Sequence, residues 1–126
     1  MIQIKSAMSS FSVNDLQKAK EFYTRVLGLE VVEEPMGLKV HLPAGGQVFI
    51  YHKPAHRPAI YTVLNFEVPS IDQTVGELGK LGVTFDRYDG MEYDGQGIMR
   101  GKKSHMGPDI AWFKDPAGNI LSVLEQ

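Results

Sequence analysis

The fold is decided by two similar stretches, Phe11-Ser12-Val13-Asn14 and Phe66-Glu67-Val68-Pro69. After each of them, apolar residues recur at helical spacing until a Leu-Gly pair, Leu27-Gly28 or Leu81-Gly82, interrupts the pattern. Two matches in the same order are difficult to obtain by chance, and a repeat decides the architecture of a chain. The sequence therefore predicts an internal duplication.

A second match follows in each half. The turn Pro43-Ala44-Gly45 precedes a strand-like run, and the turn Pro116-Ala117-Gly118 precedes another. We therefore expect an α+β fold in which tandem βαβββ modules form one cupped mixed sheet, with the helices on its other side. The chain of 126 residues is expected to be a single domain, with module 1 at about 1–53, a connection at about 54–60 and module 2 at about 61–126.

The helix ends carry local signals. Asn14 is expected to cap the first helix and Ser70 the second, because each has a glutamine three residues later. Gly76 and Gly79 each cost the second helix about 1 kcal/mol relative to alanine, and a close backbone approach is one reason for such glycines. The predicted strands are Ala7–Val13, Glu30–Glu34, Leu38–Leu42, Gln47–Tyr51, Tyr61–Val68, Val83–Tyr88, Asp109–Phe113 and Ile120–Leu124.

Composition excludes several classes of function. The net charge is −2 and the basic residues are scattered, so no nucleic-acid partner is expected. The chain has no cysteine, which excludes disulfides and thiolate metal sites. It shows neither a signal peptide nor an apolar stretch long enough to span a membrane. We therefore expect a soluble, cytoplasmic protein without a membrane partner.

Strand alternation separates a helix-facing side from a cup-facing side. The first side is apolar throughout, whereas the cup side mixes hydroxyl, amide and aromatic groups, which is typical of a ligand-binding surface. The alternative is a structural face that packs on another subunit. The ligand-binding candidates on the cup side are Met8, Ser10, Phe49, Tyr51, Val63, Asn65, Ser122 and Leu124.

The two copies differ most over residues 88–107, where the second is longer. A long connection inside a compact domain is usually functional or mobile, and its glycines and methionines suit a segment that adapts to a ligand. Either it shapes or covers the cup, or it is an ordinary hairpin excursion. Arg100 is its best candidate for binding an anionic ligand group. Trp112 is expected to be a wall of the cup or an anchor at a subunit interface.

The motifs resemble those of the vicinal oxygen chelate superfamily, which includes glyoxalase I, extradiol dioxygenases, fosfomycin-resistance enzymes and bleomycin-resistance proteins. The resemblance is carried by residues 11–29 and by Trp112-Phe113-Lys114-Asp115-Pro116-Ala117-Gly118-Asn119, and it covers nearly the whole chain. It implies the glyoxalase/bleomycin-resistance/dioxygenase-like fold and a homodimer. In metal-dependent members, the first and last strands of each copy hold a divalent ion. The matching positions here are Met8, Phe49, Val63 and Ser122, and none is a plausible ligand for such an ion.

These departures favour a metal-free small-molecule-binding or sequestering protein of the bleomycin-resistance type, with no cofactor. The alternative is a glyoxalase- or dioxygenase-type enzyme with displaced metal ligands, or one with metal-free acid–base catalysis by Glu67 or His105. A third reading is an accessory subunit whose cup is a protein interface. His41 is expected to be a strand residue facing solvent, and prolines remove the metal-binding meaning of the His52 and His56 spacing.

Overall fold

The computed structural model describes all residues from Met1 to Gln126. They form two compact units, Met1–Pro58 and Ala59–Gln126. The division falls inside the predicted connection at 54–60, while the union of both copies in one domain stays a prediction. No helix has the length and apolar character that crossing a membrane requires.

The first unit contains one helix and four strands. Helix α1 spans Leu16–Glu21 and continues as a π-helical turn over Phe22–Val26. The strands are β1 (Ser9–Val13), β2 (Glu30–Glu34), β3 (Gly37–His41) and β4 (Gln47–His52). They form a sheet in the order β1-β4-β3-β2, in which only the β1–β4 pair is parallel.

The second unit repeats this topology. Its helix α2 spans Ile71–Lys80, and its strands are β5 (Thr62–Glu67), β6 (Met99–Arg100), β7 (Asp109–Lys114) and β8 (Ile120–Glu125). The order is β5-β8-β7-β6, again with a parallel pair of first and last strands. Two four-stranded mixed sheets with few helices confirm the predicted α+β class.

The helix caps follow the predictions in part. The first helix is capped by Asp15 rather than by Asn14, because the Asp15 carboxylate accepts a hydrogen bond from the Lys18 amide at 3.0 Å. Ser70 caps α2 as predicted, with its hydroxyl accepting from the Gln73 amide. Gly28 has the expected left-handed backbone, with φ of 68°.

Two expectations about the second unit were wrong. No other segment of the chain packs closely on Gly76 or Gly79, because a Cβ atom at either position would meet nothing within 4 Å. Residues 83–88 do not form a strand: only Asp86 bridges to β7, through its amide and the Trp112 carbonyl at 2.8 Å. The start of the same β7 edge is paired with β6 instead, and Phe85 packs its ring against Phe113 at 5.8 Å.

Each core lies between the helix and one side of the sheet. In the first unit, the ring of buried Tyr23 in the helical segment lies 6.3 Å from that of Phe11 on β1. In the second, the buried residues of α2 are Ile71, Val75 and Leu78. The buried strand residues that alternation assigned to the helix side are Phe11, Val13, Val48, Ile50, Leu121 and Val123. The opposite side of each sheet carries the candidate site residues.

Candidate functional site

In the first unit, the side of the sheet opposite α1 forms a surface that we name the Phe49 face. Strand register places Ser10 beside Phe49 and Phe49 beside Lys39, and it places Ser12 beside Tyr51 in the next row. Phe49 and Tyr51 are half-buried. The face therefore brings together three of the predicted binding residues, Ser10, Phe49 and Tyr51. Met8 precedes β1 and is exposed.

Gly37 lets the Phe49 ring lie close to the sheet. A Cβ atom at Gly37 would come within 3.0 Å of Phe49 Cζ and 2.3 Å of the Ile50 carbonyl oxygen. The glycine has φ of 156° and pairs with Tyr51. A side chain here would displace both the strand pairing and the aromatic ring, so the Phe49 face depends on this glycine.

A serine–histidine pair lies at the edge of the Phe49 face. The Ser12 hydroxyl is 2.7 Å from His56 Nδ1, across 44 residues of sequence. No local pattern in the sequence pointed to His56 as the partner of Ser12. The segment with His52 and His56 is not helical, as its prolines predicted.

In the second unit, the side opposite α2 forms the Ser122 face, made by Asn65, Ile110, Trp112, Ser122 and Leu124. Register aligns Asn65, Ser122 and Trp112 in one row across β5, β8 and β7. Ser122 is completely buried, and its hydroxyl bonds to Asn65 Oδ1 at 2.5 Å. The next row aligns Glu67, Leu124 and Ile110. The structure thus joins Asn65, Ser122 and Leu124 on one surface.

Strand alternation is not a reliable guide to the side of the sheet on which Val63 lies. The register of β5 against β8 shifts between Thr62 and Leu64, so Val63 is the extra residue of a bulge. The bulge also brings Thr62 into contact with Trp112, whose indole Nε1 donates to Thr62 Oγ1 at 3.0 Å.

Two tyrosines from the 88–107 segment surround Trp112. The Tyr88 and Tyr93 rings meet the indole nearly edge to face, with centroids 6.0 and 6.4 Å away. Burial raises the pKa of the Tyr88 phenol to about 12, and the nearby Asp86 carboxylate adds to the rise. The three rings form an aromatic cluster that the sequence did not reveal, because it joins residues from separate segments.

The rest of the 88–107 segment forms a groove of about 770 Å³. Its walls include Met91, Tyr93, Met99 and Met106. Asp94 organises the segment, since one carboxylate oxygen accepts from the amides of Gln96 and Ile98, both at 2.9 Å. The segment is therefore an ordered excursion with a methionine-lined concavity.

Arg100 is engaged by three carboxylates. Its guanidinium contacts Asp72 at 2.6 Å, Asp94 at 2.9 Å and Asp109 at 3.4 Å. The hydrogen bond from Arg100 is the main cause that lowers the pKa of the Asp72 carboxyl, and the pKa of Arg100 itself is raised, chiefly by the same bond. Arg100, which the sequence suggested for binding an anionic ligand group, is thus already paired with three carboxylates of the protein.

Both candidates for acid–base catalysis, Glu67 and His105, belong to the second unit. Glu67 is exposed at the end of β5, beside Leu124. His105 is exposed in a turn, with a left-handed backbone at φ of 56°. Neither the Glu67 nor the His105 side chain makes a hydrogen bond or ion pair to another side chain.

The positions where the resemblance implies metal ligands do not fit a divalent ion. Met8 offers a thioether, Phe49 and Val63 offer no donor atom, and the Ser122 hydroxyl is committed to Asn65. Elsewhere, no group of three or more histidine, aspartate or glutamate side chains is arranged to hold a metal ion.

A family model and several solved structures match this chain. A family model described as Glyoxalase/Bleomycin resistance protein/Dioxygenase superfamily matches residues 4–123. A superfamily member from Sphaerobacter thermophilus DSM 20745 is 26% identical, with 100% of both chains covered and a TM-score of 0.71. No curated protein matches the sequence.

Two further solved structures share the fold at lower identity. TnmS3, an antibiotic binding protein from Streptomyces sp. CB03234, is 20% identical, with 99% of this chain and 98% of that chain covered and a TM-score of 0.68. The fosfomycin resistance protein FosX from Listeria monocytogenes is 16% identical, with coverages of 99% and 95% and a TM-score of 0.70.

Proposed function

Because the chain belongs to the Glyoxalase/Bleomycin resistance protein/Dioxygenase superfamily, we propose that it is a metal-free protein of the bleomycin-resistance type that binds or sequesters an aromatic small molecule. The observation that carries this proposal is the chemistry of the four positions Met8, Phe49, Val63 and Ser122. Side chains without suitable donors stand at all of them, on or beside the two surfaces where a ligand would lie.

The composition of these surfaces supports an aromatic ligand. On the Phe49 face, the half-buried rings of Phe49 and Tyr51 lie beside the hydroxyls of Ser10 and Ser12. Rings supply large contact areas and stack on flat ligands, and the hydroxyls orient a polar group. The antibiotic-binding role of TnmS3, which shares this fold, is of the same kind.

The residues that we propose for ligand binding are Met8, Ser10, Phe49 and Tyr51 in the first unit, and Val63, Asn65, Ser122 and Leu124 in the second. Ser122 is completely buried, so it takes part through its hydrogen bond to Asn65 and not by direct contact. Arg100 is the weakest proposed contact. An anionic ligand group would have to displace at least one of the carboxylates that already surround its guanidinium.

The proposal also includes an internal duplication and a cytoplasmic homodimer. The identical strand order of the two units supports the duplication. Exposed apolar side chains support association: Met1, Ile2, Ile4 and Met8 precede β1. Light scattering coupled to size-exclusion chromatography should give twice the mass of 14.0 kDa that one chain has, and a single-chain mass would remove the dimer from the proposal.

Elemental analysis tests the metal-free character. After expression in metal-supplemented medium and dialysis, the purified protein should hold no stoichiometric divalent metal. A retained ion at one per chain would contradict the proposal and favour a glyoxalase- or dioxygenase-type enzyme with displaced ligands.

Thermal denaturation with a panel of aromatic and aliphatic metabolites tests binding. We expect aromatic compounds to raise the melting temperature and Phe49→Ala to abolish the rise. Leu81→Ala is the control, because it removes an apolar side chain that is 56% exposed at the end of α2. A panel without any stabilising compound would contradict the binding function and favour a face that contacts protein.

A further inference from the structure

The buried hydroxyl of Ser122 determines how the Asn65 amide is oriented. A hydroxyl that is completely removed from water must donate its proton to a neighbouring acceptor, because a lost hydrogen bond is costly there. Its partner in the structure is Asn65 Oδ1, at 2.5 Å. The indole N–H of Trp112, which lies in the same row, is already bonded to Thr62. The amide oxygen of Asn65 therefore faces Ser122.

With its oxygen held by Ser122, Asn65 presents its nitrogen outward. An amide nitrogen carries two N–H donors, and Nδ2 of Asn65 has no hydrogen-bond partner in the structure. The residue is exposed. Asn65 thus offers two free donors and no free acceptor at the surface of the Ser122 face, in an orientation that the protein sets before any ligand arrives.

The residues around Asn65 favour one kind of hydrogen-bond acceptor on the ligand. The aromatic surface of Trp112 lies in the same row, and apolar Leu124 and Ile110 form the next. Glu67 is two residues along β5 on the same side, about 7 Å away along the strand, and its exposed carboxylate disfavours an anionic ligand. The combination of donors, aromatic surface and a nearby negative charge favours a neutral oxygen on a flat apolar compound.

We propose that Asn65, positioned by Ser122, determines specificity by donating from Nδ2 to the neutral carbonyl oxygen of an aromatic ligand. Ser122 does not touch the ligand, because it is completely buried; it acts by fixing the amide. This inference rests on the proposed binding function and adds the chemical class of ligand, an aryl ketone, ester or amide, that the Ser122 face prefers.

The test uses two bicyclic compounds, 1-indanone and indane, that differ by one carbonyl group. Their dissociation constants are measured by calorimetry on the full chain and on its variants, and their ratio reports the contribution of the oxygen. Asn65→Asp keeps the shape and can still accept from Ser122, but it has no donor for the ligand. The preference for 1-indanone over indane should fall about fivefold to tenfold, the value of one hydrogen bond.

Two further variants separate orientation from general effects. Ser122→Ala should lower the preference by a smaller factor, because the amide can then rotate and present its oxygen. Asn14→Asp makes the same chemical change at an exposed position before α1 and should leave the ratio unaltered. The side-chain NH₂ signals of Asn65 in a ¹⁵N–¹H spectrum of the unmodified protein should shift with 1-indanone and not with indane.

The outcomes are distinguishable. If both compounds bind and Asn65→Asp leaves their ratio unchanged, or the Asn65 NH₂ signals do not respond to 1-indanone, the inference about Asn65 is wrong while the binding function stands. If neither compound binds, the aromatic-binding function is contradicted together with this inference. Because the spectroscopic measurement is made on the unmodified protein, its result does not depend on whether a variant folds.

Discussion

Arg100 Nη2 donates to Asp72 Oδ1 over 2.6 Å, so the short strand β6 is tied to the first turn of α2. The same guanidinium bonds to Asp94 in the excursion and lies 3.4 Å from Asp109 on β7. One side chain therefore connects three parts of the second unit. A neighbouring ion pair between Lys102 and Glu125, whose carboxylate also accepts from the Ile71 amide at 2.9 Å, reinforces the same corner.

Arg100→Met should destabilise the protein by about 1 to 3 kcal/mol, because it leaves the buried Asp109 carboxylate without its guanidinium partner. The free energy of unfolding from urea titration is the measurement. Arg25→Met is the matched control, since Arg25 is exposed on the helical segment and should change stability by less than about 0.5 kcal/mol. If Arg100→Met and Arg25→Met lower the free energy of unfolding equally, the ion pairs of Arg100 with the three carboxylates do not stabilise the fold.

The contribution of Arg100 should depend on pH. Its hydrogen bond holds the pKa of Asp72 below the ordinary 3.8. Burial alone would raise the pKa of Asp94, but hydrogen bonds from the Ile98 and Gln96 amides and from Arg100 lower it overall. Because folding depresses both values, this stability is fully present above about pH 5 and is lost progressively as the pH falls through about 4 and below.

The stability difference between the unmodified protein and Arg100→Met should therefore be level from about pH 5 to 7 and shrink below about pH 4. Urea titrations at several pH values measure it. A difference that persists unchanged at pH 3 would mean that the substitution acts through packing of the arginine stem and not through its charge.

Gly37→Ala should destabilise the first unit by about 2 kcal/mol or more, since its Cβ would lie 2.3 Å from the Ile50 carbonyl oxygen. Gly76→Ala is an informative contrast. A Cβ there meets nothing within 4 Å, and alanine favours the helix, so stability should rise by about 0.5 to 1 kcal/mol. Thermal denaturation of both variants measures the effects, and opposite signs are expected.

Asp115→Ala should cost about 2 to 4 kcal/mol, because the buried carboxylate holds the turn between β7 and β8 together. It accepts hydrogen bonds from the amides of Ala117 and Asn119 and from Asn119 Nδ2, all at 2.9 Å. Asp89→Ala, at an exposed position, is the control. Similar unfolding free energies for the two variants would contradict the assigned role of Asp115.

Local patterns predicted most of the elements. Seven of the eight predicted strands correspond to strands in the structure within a few residues, because alternation and turn residues are encoded in adjacent positions. The exception is Val83–Tyr88, although its composition is typical of a strand. In the structure, Phe85 packs against Phe113, and Met99–Arg100 pairs with the start of the β7 edge instead. The cap at Asp15 shows the same limit on a smaller scale, since two adjacent residues could both serve.

The candidate site was predicted less completely. Alternation placed Ser10, Phe49, Tyr51, Asn65, Ser122 and Leu124 together on the cup side. Within the units, the strand register aligns Ser10 with Phe49 and Asn65 with Ser122, and it places Tyr51 and Leu124 in the adjoining rows. Alternation gave no sign that Arg100 would be surrounded by carboxylates, because Asp72 is 28 residues away in the chain. The serine–histidine pair and the aromatic cluster were missed for the same reason.

The sequence by itself determined which side chains share a strand face and where the helices stop. These properties depend only on residue type and on periods of two or 3.6 residues. The tertiary structure alone decided the Asn65–Ser122 bond, the bulge at Val63 and the neutralisation of Arg100. Each of these requires distant segments to meet in one register, and that register follows from packing of the whole unit rather than from any local preference.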